Sequence, residues 1–367
     1  MRYAHITGWG MSVPDTVLTN DDLAQRVDTN DKWIRERTGI RERRIARENE
    51  FPSTLGVKAA LKALAVANLK PTDLDLIICS TSTPEFIFPA TACLIQDQLG
   101  ASHAGAFDLL AACTGFIYAL NMASQSIRSG AIRSALVVGA ETLSRFVDWQ
   151  DRSTCILFGD GAGAFVLQGS DRPGGVLSAV MHSDGSGGDL LSLPAGGSRN
   201  PATEATVHDG KHFIHMDGNE VFRFATRVMG QAAKEALEIA GLTTQDVQWI
   251  IPHQANYRII ATAARYLKMP LERFVINVDR YGNTSTASIP IATVEALDKG
   301  MIKAGDKIVM VAFGAGLTWG ALTAEWTGPL PTAGSVHVER YRSWAPIRSA
   351  FLRVMRFIEG LIWGRNS

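Results

Sequence analysis

Three side chains carry chemistry that could be shared. Cys113 lies in Ala111-Ala112-Cys113-Thr114-Gly115-Phe116, His253 in Ile251-Pro252-His253-Gln254-Ala255-Asn256, and Asn283 in Tyr281-Gly282-Asn283-Thr284-Ser285-Thr286. A cysteine attacks as its thiolate, and the first turn of a helix supplies N–H groups and a dipole that favour that form. Cys113 follows an apolar strand and precedes the amphipathic stretch Ile117 to Ile127, and its small neighbours leave room for a substrate carbonyl and backbone donors. A free thiol titrates near about 8.5, and such a setting predicts a value lower by about a unit or more. Singly, each residue has a blander fate. An isolated cysteine is most often a small buried apolar group, a histidine in a strand-to-helix turn is usually structural, and Gly-Asn-Thr-Ser reads as a turn and helix cap. Their joint meaning depends on elements that would bring them together.

Those elements come in duplicate. Ala59 to Ser80 aligns without a gap on Ala232 to His253 at an offset of 173, pairing Leu64 with Leu237, Leu69 with Leu242 and Asp73 with Asp246. Each reads as helix, polar turn, buried strand. A second echo pairs Ala123 to Gly130 with Thr293 to Gly300 at an offset of 170, each a helix ending at glycine before an apolar strand. At 170, Cys113 falls opposite Asn283, and at 173 His253 falls opposite Ser80. The pattern predicts an internal duplication, residues 1–172 and 173–327, each half contributing helices and a mostly parallel sheet. The three reactive groups would then meet at the pseudo-symmetric centre.

Composition narrows the class. Hydrophobic residues make up 46%, and 36 Lys+Arg balance 36 Asp+Glu, so no global field favours nucleic acid. No apolar run is long enough to span a bilayer and the first residues lack a signal-peptide pattern, so a cytoplasmic protein is expected. Cys79, Cys93, Cys113 and Cys155 are too widely spaced for a disulfide framework or a zinc site. The glycines at 159, 161 and 163 lack the order of a dinucleotide fingerprint.

With these motifs assembled, the chain resembles the type III β-ketoacyl-acyl-carrier-protein synthases of the thiolase superfamily. The resemblance runs from about Tyr3 to Trp326 and rests on residues 112–116, 252–256, 282–285 and the loop Phe313-Gly314-Ala315-Gly316-Leu317-Thr318-Trp319-Gly320. It implies an α/β, thiolase-like duplicated five-layer αβαβα sandwich with two pseudo-symmetric halves. It implies a nucleophile at Cys113 and neutral donors at His253 and Asn283, with backbone N–H groups of Cys113 and Ala315 forming an oxyanion hole. By the same resemblance Thr29, Trp33, Arg37 and Arg152 would hold CoA, and Asn219, Phe222 and Ala255 the pantetheine arm. Phe88 would close the acyl pocket across a homodimer interface, and Arg223, Gln254 and Arg258 would meet the acyl carrier protein. The implied reaction condenses a short acyl-CoA with malonyl-acyl-carrier protein and needs no metal or redox cofactor. A branched, longer or aromatic acyl donor in specialised metabolism is the alternative. A scaffold that had lost activity would show a broken catalytic set, and this set is whole.

Two features depart from that pattern. Ala315 occupies the middle of the loop where the family has glycine, and about 41 residues follow Trp326. After a Gly-Pro-rich linker, Pro346 to Trp363 reads as a helix in which Ile347, Phe351, Val354, Met355, Ile358, Leu361 and Ile362 share one face. Six arginines against two acids from Ser335 onward make the segment basic. Docking on the enzyme itself, a membrane surface, or a partner through 346–363 are all open.

Overall fold

The long strands of the two main sheets are mostly apolar, β-rich runs, and the helices packed on them carry small-residue faces that can approach a sheet closely. The computed structural model describes residues 2–331 and 335–362. The chain opens with β1 (Tyr3–Ser12), β2 (Val17–Thr19), α1 (Asn20–Ala24), α2 (Asp31–Thr38) and β3 (Glu42–Arg44). It continues through α3 (Pro52–Ala67), β4 (Leu76–Ser80), α4 (Thr91–Leu99), β5 (Gly105–Leu109), α5 (Gly115–Arg128), β6 (Ser134–Glu141) and β7 (Gly161–Ser170). Next come β8 (Gly175–Ser183), β9 (Leu191–Ser192), α6 (Glu204–His208), β10 (His215–Met216), α7 (Gly218–Ile239) and β11 (Trp249–Pro252). The chain ends with α8 (Tyr257–Leu267), α9 (Val278–Tyr281), α10 (Ser288–Asp298), β12 (Lys307–Gly314), β13 (Thr318–Glu325) and α11 (Val338–Ile362).

One main sheet runs β1-β7-β6-β4-β5 and the other β11-β12-β13-β8, with β2-β3 and β9-β10 as two-stranded ribbons beside them. Both are mixed rather than mostly parallel. β4 is parallel to β5 and β6, and β11 to β12, but β7 and β13 return antiparallel to the strands they pair with. Between β12 and β13 the short 315–317 link forces the reversal, because a parallel crossover needs a dozen residues or more.

Strand alternation distributes side chains between layers. Leu136, Val138 and Ala140 of β6 face α3, where Leu55, Ala59 and Ala63 are buried against them. Ala135 and Val137 face the other way, onto α5 and α10. Those two helices form the middle layer, since the same cluster takes in Met310, Ala312 and Leu322 of the second sheet. Val309 and Val311 point outward to α7 and α8. The result is a five-layer αβαβα sandwich, as expected. Phe116 is fully buried in the middle layer, edge-on to Phe165 at 5.2 Å, where truncation to alanine would cost about 3–5 kcal/mol.

The duplication holds at a single offset. β6 and β12 correspond residue for residue at 173, as do the starts of β4 with β11 and of α5 with α10. The offset of 170 came from aligning helix ends, but α5 has 14 residues and α10 has 11. In the structural register Cys113 therefore lies opposite Thr286, not Asn283, and Ala112 lies opposite Ser285. His253 keeps its place opposite Ser80.

The last helix starts at Val338 and contains Pro346, instead of starting there. It rests on α3 and α4 through small and polar groups, and its apolar face points to solvent. Trp363, assigned to this helix from sequence, lies outside the described residues.

Candidate functional site

Cys113 sits where β5 gives way to α5. Ala112 adopts the left-handed conformation, with φ of 46°, at roughly 1–2 kcal/mol of strain, and a single 3-10 turn from Ala112 to Thr114 then feeds the helix. The end of β12 comes close enough to touch it. A Cβ on Gly314 would fall 2.7 Å from the Cys113 nitrogen, so only glycine permits this approach. The Thr318 hydroxyl ties the two sides together, lying 3.1 Å from Ala111 O and 3.0 Å from both Thr114 Oγ1 and Ala315 O.

His253 ends the β11 run and is held from three directions. Its backbone N–H donates to Val311 O at 2.7 Å, its ring packs edge-on to Phe313 at 5.4 Å, and Nδ1 lies 2.6 Å from Ser288 Oγ. Nε2 is buried and has no hydrogen-bond partner. Asn283 is placed by backbone exchange with the 157–159 segment, through Asn283 N to Leu157 O at 2.8 Å and Gly159 N to Asn283 O at 3.0 Å. Its carboxamide oxygen accepts from Ser285 N at 2.8 Å, which leaves the NH2 end as the outward donor. One short segment thus joins all three groups: it contains Asn283, Ser285 hydrogen-bonds the Cys113 thiol, and Ser288 holds His253.

Burial sets the protonation states. It pushes the Cys113 thiol up to about 12, the Ser285 hydroxyl pulls it back, and the Glu141 charge raises it further. The expected depression at the helix start does not survive, because desolvation can move a buried group by several units while a helix terminus contributes about 2 kcal/mol at most. Burial likewise holds His253 neutral, pulled down to about 3.

A largely apolar cavity of about 530 Å³ opens in front of Cys113, bounded by Leu143, Phe146, Phe158, Leu191, Ser285 and Ala315 among others. On the far side of α2 a wider groove of about 810 Å³, lined by Asp31, Arg35, Tyr257 and Asp279, holds none of the three reactive groups. Arg37 and Arg152 both lie over the Trp33 ring, 4.7 and 5.1 Å from its centroid, and Thr29 Oγ1 is buried without a partner. Asn256 Nδ2 donates to Arg37 O at 3.0 Å, which fastens this cationic platform to the His253 loop. Ala255 is half-buried in that loop. Asn219 and Phe222 lie on the first turns of α7, Arg258 stacks over Phe222 at 5.1 Å, and Arg223 pairs with Glu220.

One of the expected binding residues differs from expectation. Gln254 cannot meet a carrier protein: it is 1% exposed and its amide is spent on Pro252 O, Val275 O, Asn277 N and Val278 N, bracing the loop behind His253. Phe88 does not border its own chain's cavity but stands 84% exposed on a loop beside Phe86 and Ile87.

Sequence reasoning passed over Ser285, Ser288 and Glu141. Glu141 is fully buried at the end of β6, accepting from Thr83 Oγ1 at 2.7 Å, Thr286 Oγ1 at 2.9 Å and Ser82 N at 3.0 Å, and burial raises its pKa. It joins both halves beside Cys113. Only its place at a strand end, matching Gly314 at the offset of 173, could have flagged it.

Comparison with known proteins agrees with this architecture. The family model described as 3-oxoacyl-[acyl-carrier-protein] synthase III matches residues 107–185, and the model for the C-terminal part of the same family matches 237–326. A β-ketoacyl-[acyl-carrier-protein] synthase III of Symbiobacterium thermophilum is 54% identical over 326 residues, 89% of this chain and 99% of the relative. The crystal structure of 3-oxoacyl-[acyl-carrier-protein] synthase III from Aquifex aeolicus superposes with a TM-score of 0.81 at 48% identity, covering 88% of this chain and 99% of that one. The priming β-ketosynthase of the R1128 polyketide pathway superposes at 0.83 with 38% identity, covering 90% and 98%. With Cys113, His253 and Asn283 drawn together by one segment of such a sandwich, the chain belongs to the 3-oxoacyl-[acyl-carrier-protein] synthase III family of acyltransferases.

Proposed function

We propose that this enzyme joins an acyl-CoA primer to malonyl-acyl-carrier protein by decarboxylating Claisen condensation, giving 3-oxoacyl-acyl-carrier protein and starting fatty-acid synthesis. The observation that carries this reading is a pair of neutral donors beside a buried thiol: His253 with an unpartnered Nε2, and Asn283 with only its oxygen committed. In the first step Cys113 Sγ attacks the thioester carbon, and the N–H groups of Cys113 and Ala315 receive the developing oxyanion. The C–S bond to CoA breaks, and the thiol proton ends on the departing CoA sulfur. A thiol held near 12 surrenders its proton as the new bond forms, rather than waiting as a thiolate.

Malonyl-acyl-carrier protein then enters. Loss of CO2 leaves the electron pair on the thioester enolate, whose oxygen takes hydrogen bonds from His253 Nε2–H and Asn283 Nδ2–H. With the Ser288 hydroxyl donating to Nδ1, the single proton of the neutral ring stays on Nε2, where it is needed. The enolate carbon attacks the acyl carbonyl, the C–S bond to Cys113 breaks, and the thiolate takes up one proton from solvent, the proton that the overall reaction consumes.

Trp33, Arg37, Arg152 and Thr29 suit the nucleotide end of CoA, because a guanidinium pair over an indole offers stacking and phosphate contacts together. We assign Asn219 and Phe222 on the first turns of α7 and Ala255 in the His253 loop to the pantetheine arm, and the exposed Arg223 and Arg258 are cations suited to an acidic carrier protein. A homodimer fits the edge strand β5 and the exposed Phe86, Ile87 and Phe88, with Phe88 closing the partner subunit's acyl cavity. Intact-protein mass after mixing with acetyl-CoA and longer or branched acyl-CoAs tests the reading. An adduct absent from Cys113→Ala is expected, and its mass names the primer; no adduct from any acyl-CoA would overturn it.

A further inference from the structure

The family match ends at residue 326, and α11 begins beyond it as an addition to the sandwich. Its 25 residues span about 37 Å. The attachment uses small and polar groups: Val338, Ala345 and Ser349 are buried, Ser349 Oγ bonds Asp97 Oδ1 at 2.6 Å, and Ala345 rests 3.6 Å from where a Cβ on Gly100 would be. At 100° per residue the opposite face holds Trp344, Ile347, Phe351, Val354, Ile358 and Leu361 within a sector of about 120°. All six are exposed, Trp344 and Leu361 each to 68%. A solvated row of large apolar side chains on one helix marks a docking face.

Charge selects the occupant. Within α11 five arginines face two glutamates, and Arg348 and Arg353 flank the apolar sector on either side. The remainder of the chain carries the opposite bias, because residues 1–334 hold thirty basic against thirty-four acidic groups. Attraction to an anionic surface is therefore concentrated on the helix that also presents the apolar row. No helix among the described residues is long and apolar enough to cross a membrane, which leaves α11 lying in the interface plane. A second copy would bring like-charged arginine rims together, whereas anionic headgroups would meet them and acyl chains would take the apolar row. Because α11 sits on α3 and α4, in the outer layer, this docking leaves the Cys113 cavity between the sheets untouched.

We infer that α11 anchors the enzyme to an anionic lipid surface, with its Trp344 to Leu361 row in the acyl boundary and its arginines among the headgroups. Flotation of the full chain with equimolar phosphatidylglycerol and phosphatidylcholine vesicles, against pure phosphatidylcholine vesicles, tests this. The protein should float with the anionic vesicles only, and added salt should release it. Phe351→Glu with Ile358→Glu should lower partitioning at least tenfold while acylation at Cys113 stays unchanged. Arg348→Glu with Arg353→Glu, which leaves the apolar row intact, should lower it roughly fivefold per arginine or more. Wild-type protein that stays soluble with anionic vesicles, or floats equally with neutral ones, would overturn the inference. So would a halving of the molar mass by light scattering in the Phe351/Ile358 variant, which would assign the face to a second copy.

Discussion

At the end of β4 stands Ser80, and at the end of its counterpart β11 stands His253. Gly115 packs against the first and Ser288 against the second, and these are again counterparts at the offset of 173. A Cβ on Gly115 would fall 2.1 Å from Ser80 Oγ, so in the first half α5 closes directly onto the sheet. In the second half a serine takes the glycine's place and grips an imidazole. The left-handed residue that opens each helix approach is conserved in conformation but not in type, Ala112 with φ of 46° and Ser285 with φ of 47°. One backbone plan therefore serves two purposes. In the proposed mechanism the first half supplies the covalent attachment point and the second supplies neutral hydrogen-bond donors, which predicts that the two half-reactions can be separated by mutation.

His253→Ala should sharpen that contrast most. Loss of one enolate donor is expected to slow condensation by about 10²–10³-fold, while acylation of Cys113 changes by only a few-fold. Comparable loss of both steps would show that the halves do not divide the chemistry. Ser288→Ala removes one hydrogen bond of about 1 kcal/mol, so condensation should fall roughly fivefold. Because the ring then has no fixed tautomer, the loss should appear in kcat rather than KM, and Ser288→Thr should restore it.

The last contrast is in stability. His253 stays neutral to about pH 3 in the fold but titrates near 6.5 when unfolded. Between those values the unfolded chain binds one more proton, so stability falls as pH drops from 6.5 towards 3, by up to about 1.4 kcal/mol per pH unit. Cys113 acts at the other end: its contribution is complete below its unfolded value of 9.0 and is lost as pH rises towards 12. Urea midpoints of wild type and His253→Ala across the acid range should show the shallower slope in the variant.

The residues that were readable in the sequence are those whose local grammar is strong. Cys113, His253 and Asn283 each stand at a strand, turn or helix junction, and the repeat around Leu64 and Leu237 announces itself by spacing. The register near the site was not readable, because α5 outruns α10 by one turn and helix ends are easier to see than helix starts. Gln254 looked available because nothing in sequence shows that the backbone of 275–278 comes back to consume its amide. Glu141 was hidden for the same reason, its partners lying about 58 and 145 residues away. Pro346 read as a helix start because proline suits a first turn, yet the two turns before it are fixed by Ala345 and Val338 against the outer layer.

The most direct test of a divided site is to load Asn283→Ala with an acyl group from acyl-CoA, add malonyl-acyl-carrier protein, and follow the mass of the intact enzyme. The account predicts that the Cys113 adduct forms and then persists, while the wild-type adduct disappears as 3-oxoacyl-acyl-carrier protein accumulates. A variant that never acquires the adduct, or that discharges it as fast as wild type, would contradict it.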